Sequence, residues 1–183
     1  MPLPPSEGRE ELHLRRIEMR GYRRPDGLFE VDGRVNDCKP YDFNTPSESR
    51  SVPAGDFIHD MWVRLVFDEN LLVHDVLAVS DSTPYPICRE AGATLKKMIG
   101  VSIARGWSRA VKERLGGVAS CTHLMELLIP LATAAYQSIA PLRWAREKAP
   151  EPGVRPGKID SCFAYSAERE VVKVRWPDHY TGR

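Results

Sequence analysis

The chain has no run of 18 apolar residues, which argues against a membrane-spanning helix. It has no excess of charge either. Its 26 Lys and Arg are balanced by 25 Asp and Glu, for a net charge of +1. A general nucleic-acid binder needs a stronger field than that. The one basic cluster (Arg15, Arg16, Arg20, Arg23 and Arg24) is interleaved with Glu18 and Asp26 and reads as a solvated face. No CxxC pair and no internal repeat occur. The four cysteines (Cys38, Cys88, Cys121, Cys162) are widely spaced, a pattern of thiols that are free, buried or metal-bound in a reducing compartment. The first residues lack the basic segment and apolar stretch of a signal peptide, so a cytoplasmic location is expected. P-loop, GxGxxG, HExxH and GxSxG motifs are also missing, which removes the nucleotide, zincin and serine-hydrolase readings.

What remains is an ordinary soluble composition: 183 residues, 42% apolar and 28% charged. Residues 1–11 are rich in Pro, Ser, Glu and Gly and are expected to be disordered. Residues 12–183 are expected to form a single domain. Leu12, Leu14, Ile17 and Met19 suggest a first strand. Pro25-Asp26-Gly27 signals a turn, and Leu28 to Val35 a second strand, with Asp32-Gly33 as a turn or bulge. Residues 40–56 read as a surface loop. His59, Met61, Val63, Leu65 and Phe67 then alternate with Asp60, Trp62, Arg64 and Asp68, which predicts a strand with one buried face. Asp68-Glu69-Asn70 turns the chain into a partner strand over Leu71 to Ser80.

Helical periodicity follows in Ala91, Leu95, Met98 and Ile99. A short helix is expected from Trp107 to Leu115, stopped by Gly116-Gly117. The main helix is expected from about Ser120 to Ile139, with Leu124, Leu127, Leu128, Leu131, Ala135 and Ile139 as its buried stripe. Pro130 is expected to kink it and Pro141 to close it. Residues 142–158 read as a charged linker, and Val171, Val172, Val174 and Trp176 as a last strand. Strands followed by helices predict an α+β fold, with helices packed on one face of an antiparallel sheet.

Chemistry concentrates where loops meet elements. Cys121 and His123 open the main helix, where unpaired N–H groups and the positive end of the dipole favour a thiolate. His59 opens the strand hairpin, and Cys88 starts a helix. Two cysteines and two histidines suit zinc or iron. His59, Cys88, Cys121 and His123 are therefore the candidate metal ligands. Asp60 and Glu126 are the acid/base candidates, and Arg64 and Tyr85 the substrate contacts. Core cysteines and a core histidine are the alternative reading of the same residues. His13 reads as a surface residue.

Gly55-Asp56-Phe57-Ile58-His59-Asp60-Met61-Trp62, then Cys88 after Thr83-Pro84-Tyr85-Pro86, then Ser120-Cys121-Thr122-His123-Leu124 resemble the NifU/IscU-type iron–sulfur scaffold proteins. The resemblance covers residues 55–140 and implies a scaffold-like core carrying an added N-terminal strand ribbon and a C-terminal tail strand. It places Cys88 and Cys121 at two of that family's cysteine ligands, and His59 near its first cysteine and an Asp. That first cysteine is missing here. The segments His13-Leu14-Arg15, Gly21 to Leu28, His59-Asp60-Met61-Trp62 and Cys121-Thr122-His123-Leu124 also resemble a bacterial family of uncharacterised function, over most of residues 12–180.

The expected function is thus a metal-binding protein acting as a lyase or hydrolase on a small organic substrate, with a divalent zinc or iron ion as cofactor. An iron–sulfur or sulfur-handling scaffold and a metal-free binding module are the alternatives. No nucleic-acid or membrane partner is expected, and the oligomeric state is not legible.

Overall fold

The first turn forms at Pro25-Asp26-Gly27, where the Arg24 N–H donates to the Leu28 carbonyl at 2.9 Å. In the computed structural model, which describes residues 3–4, 7–45, 50–146 and 154–182, this turn joins β1 (Leu14–Arg23) to β2 (Phe29–Cys38). Both strands are longer than their apolar residues suggest. The backbone ladder runs unbroken from Leu14↔Cys38 to Arg23↔Phe29. Asp32-Gly33 is neither turn nor bulge. Gly33 pairs with Met19 on one side and Val63 on the other, in mid-sheet. Of the N-terminal residues expected to be disordered, 1, 2, 5 and 6 lie outside the described set, and 7–13 carry no helix or strand.

The loop over 40–56 holds a small two-stranded ladder, β3 (Phe43–Asn44) with β4 (Ser51–Val52), and buries Val52 and Thr45. Residues 46–49 of that loop lie outside the described set. Next come β5 (Phe57–Phe67) and β6 (Val73–Ser82). The intervening turn is held by Asp68, whose carboxylate accepts from the Asn70 and Leu72 N–H groups and meets His74 Nε2 at 3.0 Å. Together β1, β2, β5 and β6 make one antiparallel sheet in the order β1-β2-β5-β6. The N-terminal ribbon is therefore not an added layer. It extends the sheet through the full-length β2–β5 pairing.

The predicted alternation of β5 is seen. Met61, Val63, Leu65 and Phe67 are buried on one face, and Trp62 and Arg64 are exposed on the other. Helical elements cover the buried face. A 3₁₀ helix spans Pro86–Met98, α1 spans Trp107–Leu115 and α2 spans Thr122–Arg146. Leu124, Leu127, Leu128, Leu131, Ala135 and Ile139 form the buried stripe of α2. Trp107 locks α1 to α2 by donating its indole N–H to the Leu128 carbonyl at 2.9 Å. Pro141 does not close α2, which continues to Arg146 with both prolines inside. Residues 142–146 of the charged stretch read as linker are thus helical, and residues 147–153 of it lie outside the described set.

The described chain divides into two compact units, Met1–Arg143 and Trp144–Arg183. In the second, Val172 is buried with Ile159 and Ala167, and Trp176 packs on them. The segment read as a tail strand is a short helix, α3 (Glu170–Arg175). Its valines favour strands, but only Val172 is buried, while Val171 and Val174 are 38% and 71% exposed. One buried position, with Trp176 four residues on, matches a helical period rather than alternation. Glu170 in the first turn and Lys173 and Arg175 in the last suit the helix dipole.

Gly33 sets how closely α2 approaches the sheet. A Cβ there would lie 3.0 Å from Cγ and Cδ2 of Leu131. Gly33→Val is expected to cost about 2–3 kcal/mol by overpacking. In a double-mutant cycle with Leu131→Ala, the combined loss should fall well below the sum, because the truncated side chain vacates the space. Additive losses in urea unfolding would argue that the two positions do not meet.

Candidate metal centre

Register places the first part of the site. Arg15 pairs with Asp37 across β1–β2, and Asp37 with His59 across β2–β5. Three neighbouring strands therefore set Arg15, Asp37 and His59 in one row on the helix-covered face. Asp37 is 1% exposed, and its carboxylate is surrounded by donors. Arg15 forks onto it, with Nε to Oδ1 at 2.7 Å and Nη2 to Oδ2 at 2.9 Å. His13 Nε2 lies 3.2 Å from Oδ1, and His59 Nδ1 lies 3.0 Å from Oδ2. Burial alone would raise the Asp37 pKa. The Arg15 hydrogen bonds and the field of Arg15, His59 and His13 outweigh it and hold the carboxyl below its ordinary range.

An ionised carboxylate only accepts, so Nδ1 of His59 carries the proton in the neutral ring. That tautomer leaves the Nε2 lone pair free. Burial first, and then the nearby His123 ring, push the His59 pKa down to about 4, against the pull of Asp37. His59 is therefore a neutral imidazole near pH 7.

The start of α2 supplies the second part. The Met125 N–H donates to the Cys121 carbonyl at 2.9 Å, which makes Cys121 the residue that caps the helix. Gly116 lets the chain turn out of α1, since a Cβ there would lie 2.4 Å from the Lys112 carbonyl oxygen. The His123 ring then stacks on His59, with centroids 3.9 Å apart and planes tilted by 33°. Cys121 Sγ lies 3.9 Å from His123 Nδ1. Burial raises the thiol pKa, but His123 and the backbone N–H groups of Leu124 and His123 lower it more, and the net shift is downward.

Asp37, His59 and His123 each present one ligand atom, all within 4.8 Å of one another. Beside them opens a cleft of about 620 Å³, lined among others by His59, Tyr85, Cys88, Cys121 and His123. All four sequence-predicted ligands and Tyr85 line this cleft, while only His59 and His123 among them belong to the three-residue cluster. Cys88 lines this cleft, with its backbone N–H bonded to the Tyr85 carbonyl at 3.1 Å. Glu126 is exposed on α2, near enough to Arg15 to raise its pKa.

Asp60 and Arg64 are not brought in. Strand alternation puts them on the opposite face from His59. There Arg34 forks onto Asp60 at 2.7 and 2.6 Å, and Arg64 onto Asp32 at 2.6 and 2.7 Å. Asp37, Arg15 and His13 escaped the sequence reading. A hairpin centred on Asp26 does pair Arg15 with Asp37 by counting alone. The β2–β5 register that adds His59 crosses the long 40–56 connection and cannot be counted.

Among the described residues no helix is long and apolar enough to cross a membrane. No curated protein and no solved structure matches the chain. One family model does match, over residues 13–137, and its span runs from His13 through Arg15, Asp37, His59, Cys121 and His123. The chain belongs to the family described as Protein of unknown function (DUF2889).

Proposed function

We infer that this protein binds one divalent metal ion of the zinc or iron class and uses it on a small organic substrate, as a lyase or hydrolase. The observation that carries this reading is the convergence of His59 and His123 ligand atoms, within 4.8 Å of each other and of Asp37, with Cys121 Sγ 3.9 Å from His123 Nδ1. His59, His123 and Cys121 would hold the ion, and Cys88 is the fourth candidate. Imidazoles, one of them held neutral, and a thiol of lowered pKa are the donor types that borderline metals prefer. Asp37 serves as the orienting carboxylate rather than as a ligand, because Arg15 already forks onto both of its oxygens. A carboxylate behind a ligating histidine fixes its tautomer and raises its basicity. A bound ion of this class would supply Lewis-acid polarisation or an activated water.

The chain's own groups have definable parts. His13, Arg15 and Asp37 keep the His59 ring in place. Glu126, one turn beyond His123, is the acid/base candidate of this reading. Loading with an iron–sulfur cluster is less well supported, because only Cys88 and Cys121 line the cleft among the described residues.

The test is elemental analysis of purified full-length protein, as isolated and after stripping and reloading with zinc. About one equivalent per chain is expected. The pair His59→Ala and His123→Ala should abolish it, with far-UV circular dichroism confirming that the variants fold. Negligible metal in both preparations, or stoichiometry unchanged in the double variant, would refute this reading.

A further inference from the structure

The cleft beside the histidines exposes three apolar side chains to solvent. Ile87 is 65% exposed, Val118 is fully exposed and Tyr85 is 36% exposed, and all three line it. Single exposed apolar residues need no explanation, but three around one opening make a patch. Met61 and Ala91 continue the apolar wall inward, toward His59, Cys121 and His123. Among the described residues, Glu90 is the one carboxylate of the lining, and no Lys or Arg lines it. Arg15 stands behind His59, forked onto Asp37, and Arg50 and Arg89 line a neighbouring cleft that shares Pro84. Arg50 donates to the Thr83 and Phe57 carbonyls and Arg89 to the Asp81 carbonyl. At about 620 Å³ the cleft has the size of a small-molecule site.

We propose that this cleft takes a compact apolar molecule of aromatic size, carrying one metal-coordinating oxygen or sulfur. Its ring lies against Tyr85, Ile87 and Val118, and its polar end reaches His59, Cys121 and His123. Among the described residues no Lys or Arg lines the cleft, so beyond the ion itself nothing there neutralises a second negative charge, which disfavours multiply anionic substrates. The inference rests on the metal reading above and names the substrate class of that site.

The test uses zinc-loaded full-length protein and two probes with the same chelating head, acetohydroxamate and benzohydroxamate. Both are titrated by calorimetry, and zinc content is assayed on the same samples. Benzohydroxamate is expected to bind at least about tenfold more tightly, because only its ring gains by leaving water. Ile87→Glu and Val118→Asp should abolish that preference while leaving zinc content and acetohydroxamate affinity unchanged. Both positions are exposed, so neither substitution threatens the core. Equal affinities on zinc-loaded protein, or a preference that survives both substitutions, would overturn the apolar cleft and leave the metal reading standing. A protein that takes up no zinc would overturn both.

Discussion

Asp37→Ala is expected to cost about 3 kcal/mol of unfolding free energy at neutral pH and to weaken zinc binding about 10- to 100-fold. Removing one member of a buried ion pair leaves the other without its counter-charge. Here the partners are Arg15, 38% exposed, and His13, 42% exposed, which can turn to water. The loss therefore falls at the lower end of the range for buried pairs. His59, 13% exposed, has no such escape. Without Asp37 its Nδ1–H loses its acceptor and the ring its fixed orientation, which accounts for the effect on zinc. Asp37→Asn should fall between the two proteins, since it keeps the volume but cannot accept the Arg15 fork on both atoms. Urea unfolding and zinc titration on the same variants separate the two effects. An unchanged midpoint would remove the network from the stability of the fold. Unchanged zinc affinity would remove Asp37 from the support of the site.

The metal-stripped protein is expected to lose stability as pH falls from about 6.5 to about 4, by up to about 3 kcal/mol. The sign follows from His59, whose folded pKa of about 4 lies below the unfolded value of 6.5. In that window the unfolded chain binds a proton that the native chain does not, so acid favours unfolding. Above 6.5 His59 is neutral in both states and contributes no slope. Below 4 its penalty is complete and the slope from this group vanishes. Asp37, with its pKa held down in the fold, adds a loss only at still lower pH, as its carboxylate is protonated. His59→Gln should flatten the curve between 4 and 6.5, read from chemical denaturation at a series of pH values. A wild-type curve already flat there would mean that His59 titrates alike in both states. Metal-free protein is the sample for this test, because ligand protonation would make any metal binding itself pH-dependent.

Much of this architecture was open to reading from one-dimensional pattern. The alternation from His59 to Asp68 identified the central strand and its buried face, since a period of two has no other economical explanation. The leucine stripe from Leu124 to Ile139 identified α2 and its inward side. Pro25-Asp26-Gly27 located the first hairpin. The Pro141 stop and the tail strand were misread. A proline late in a helix loses a single backbone hydrogen bond, a cost the helix can bear. Valines favour strands only where neighbours bury them, and in the second unit only Val172 is buried.

The candidate site divides in the same way. The amino-acid sequence by itself determined which residues could do chemistry: the Cys121–His123 pair at a helix start, and His59 on the inward face of its strand. It also determined that Asp60 and Arg64 share a face with each other and not with His59, because successive strand residues point to opposite sides. Only the tertiary structure decided that His123 stacks on His59, and that a buried Asp37 stands behind it with Arg15 and His13. The reason is that local periodicity specifies a face, whereas register between strands distant in sequence, and the seating of a helix on a sheet, depend on how side chains such as Leu131 and the gap at Gly33 fill space together.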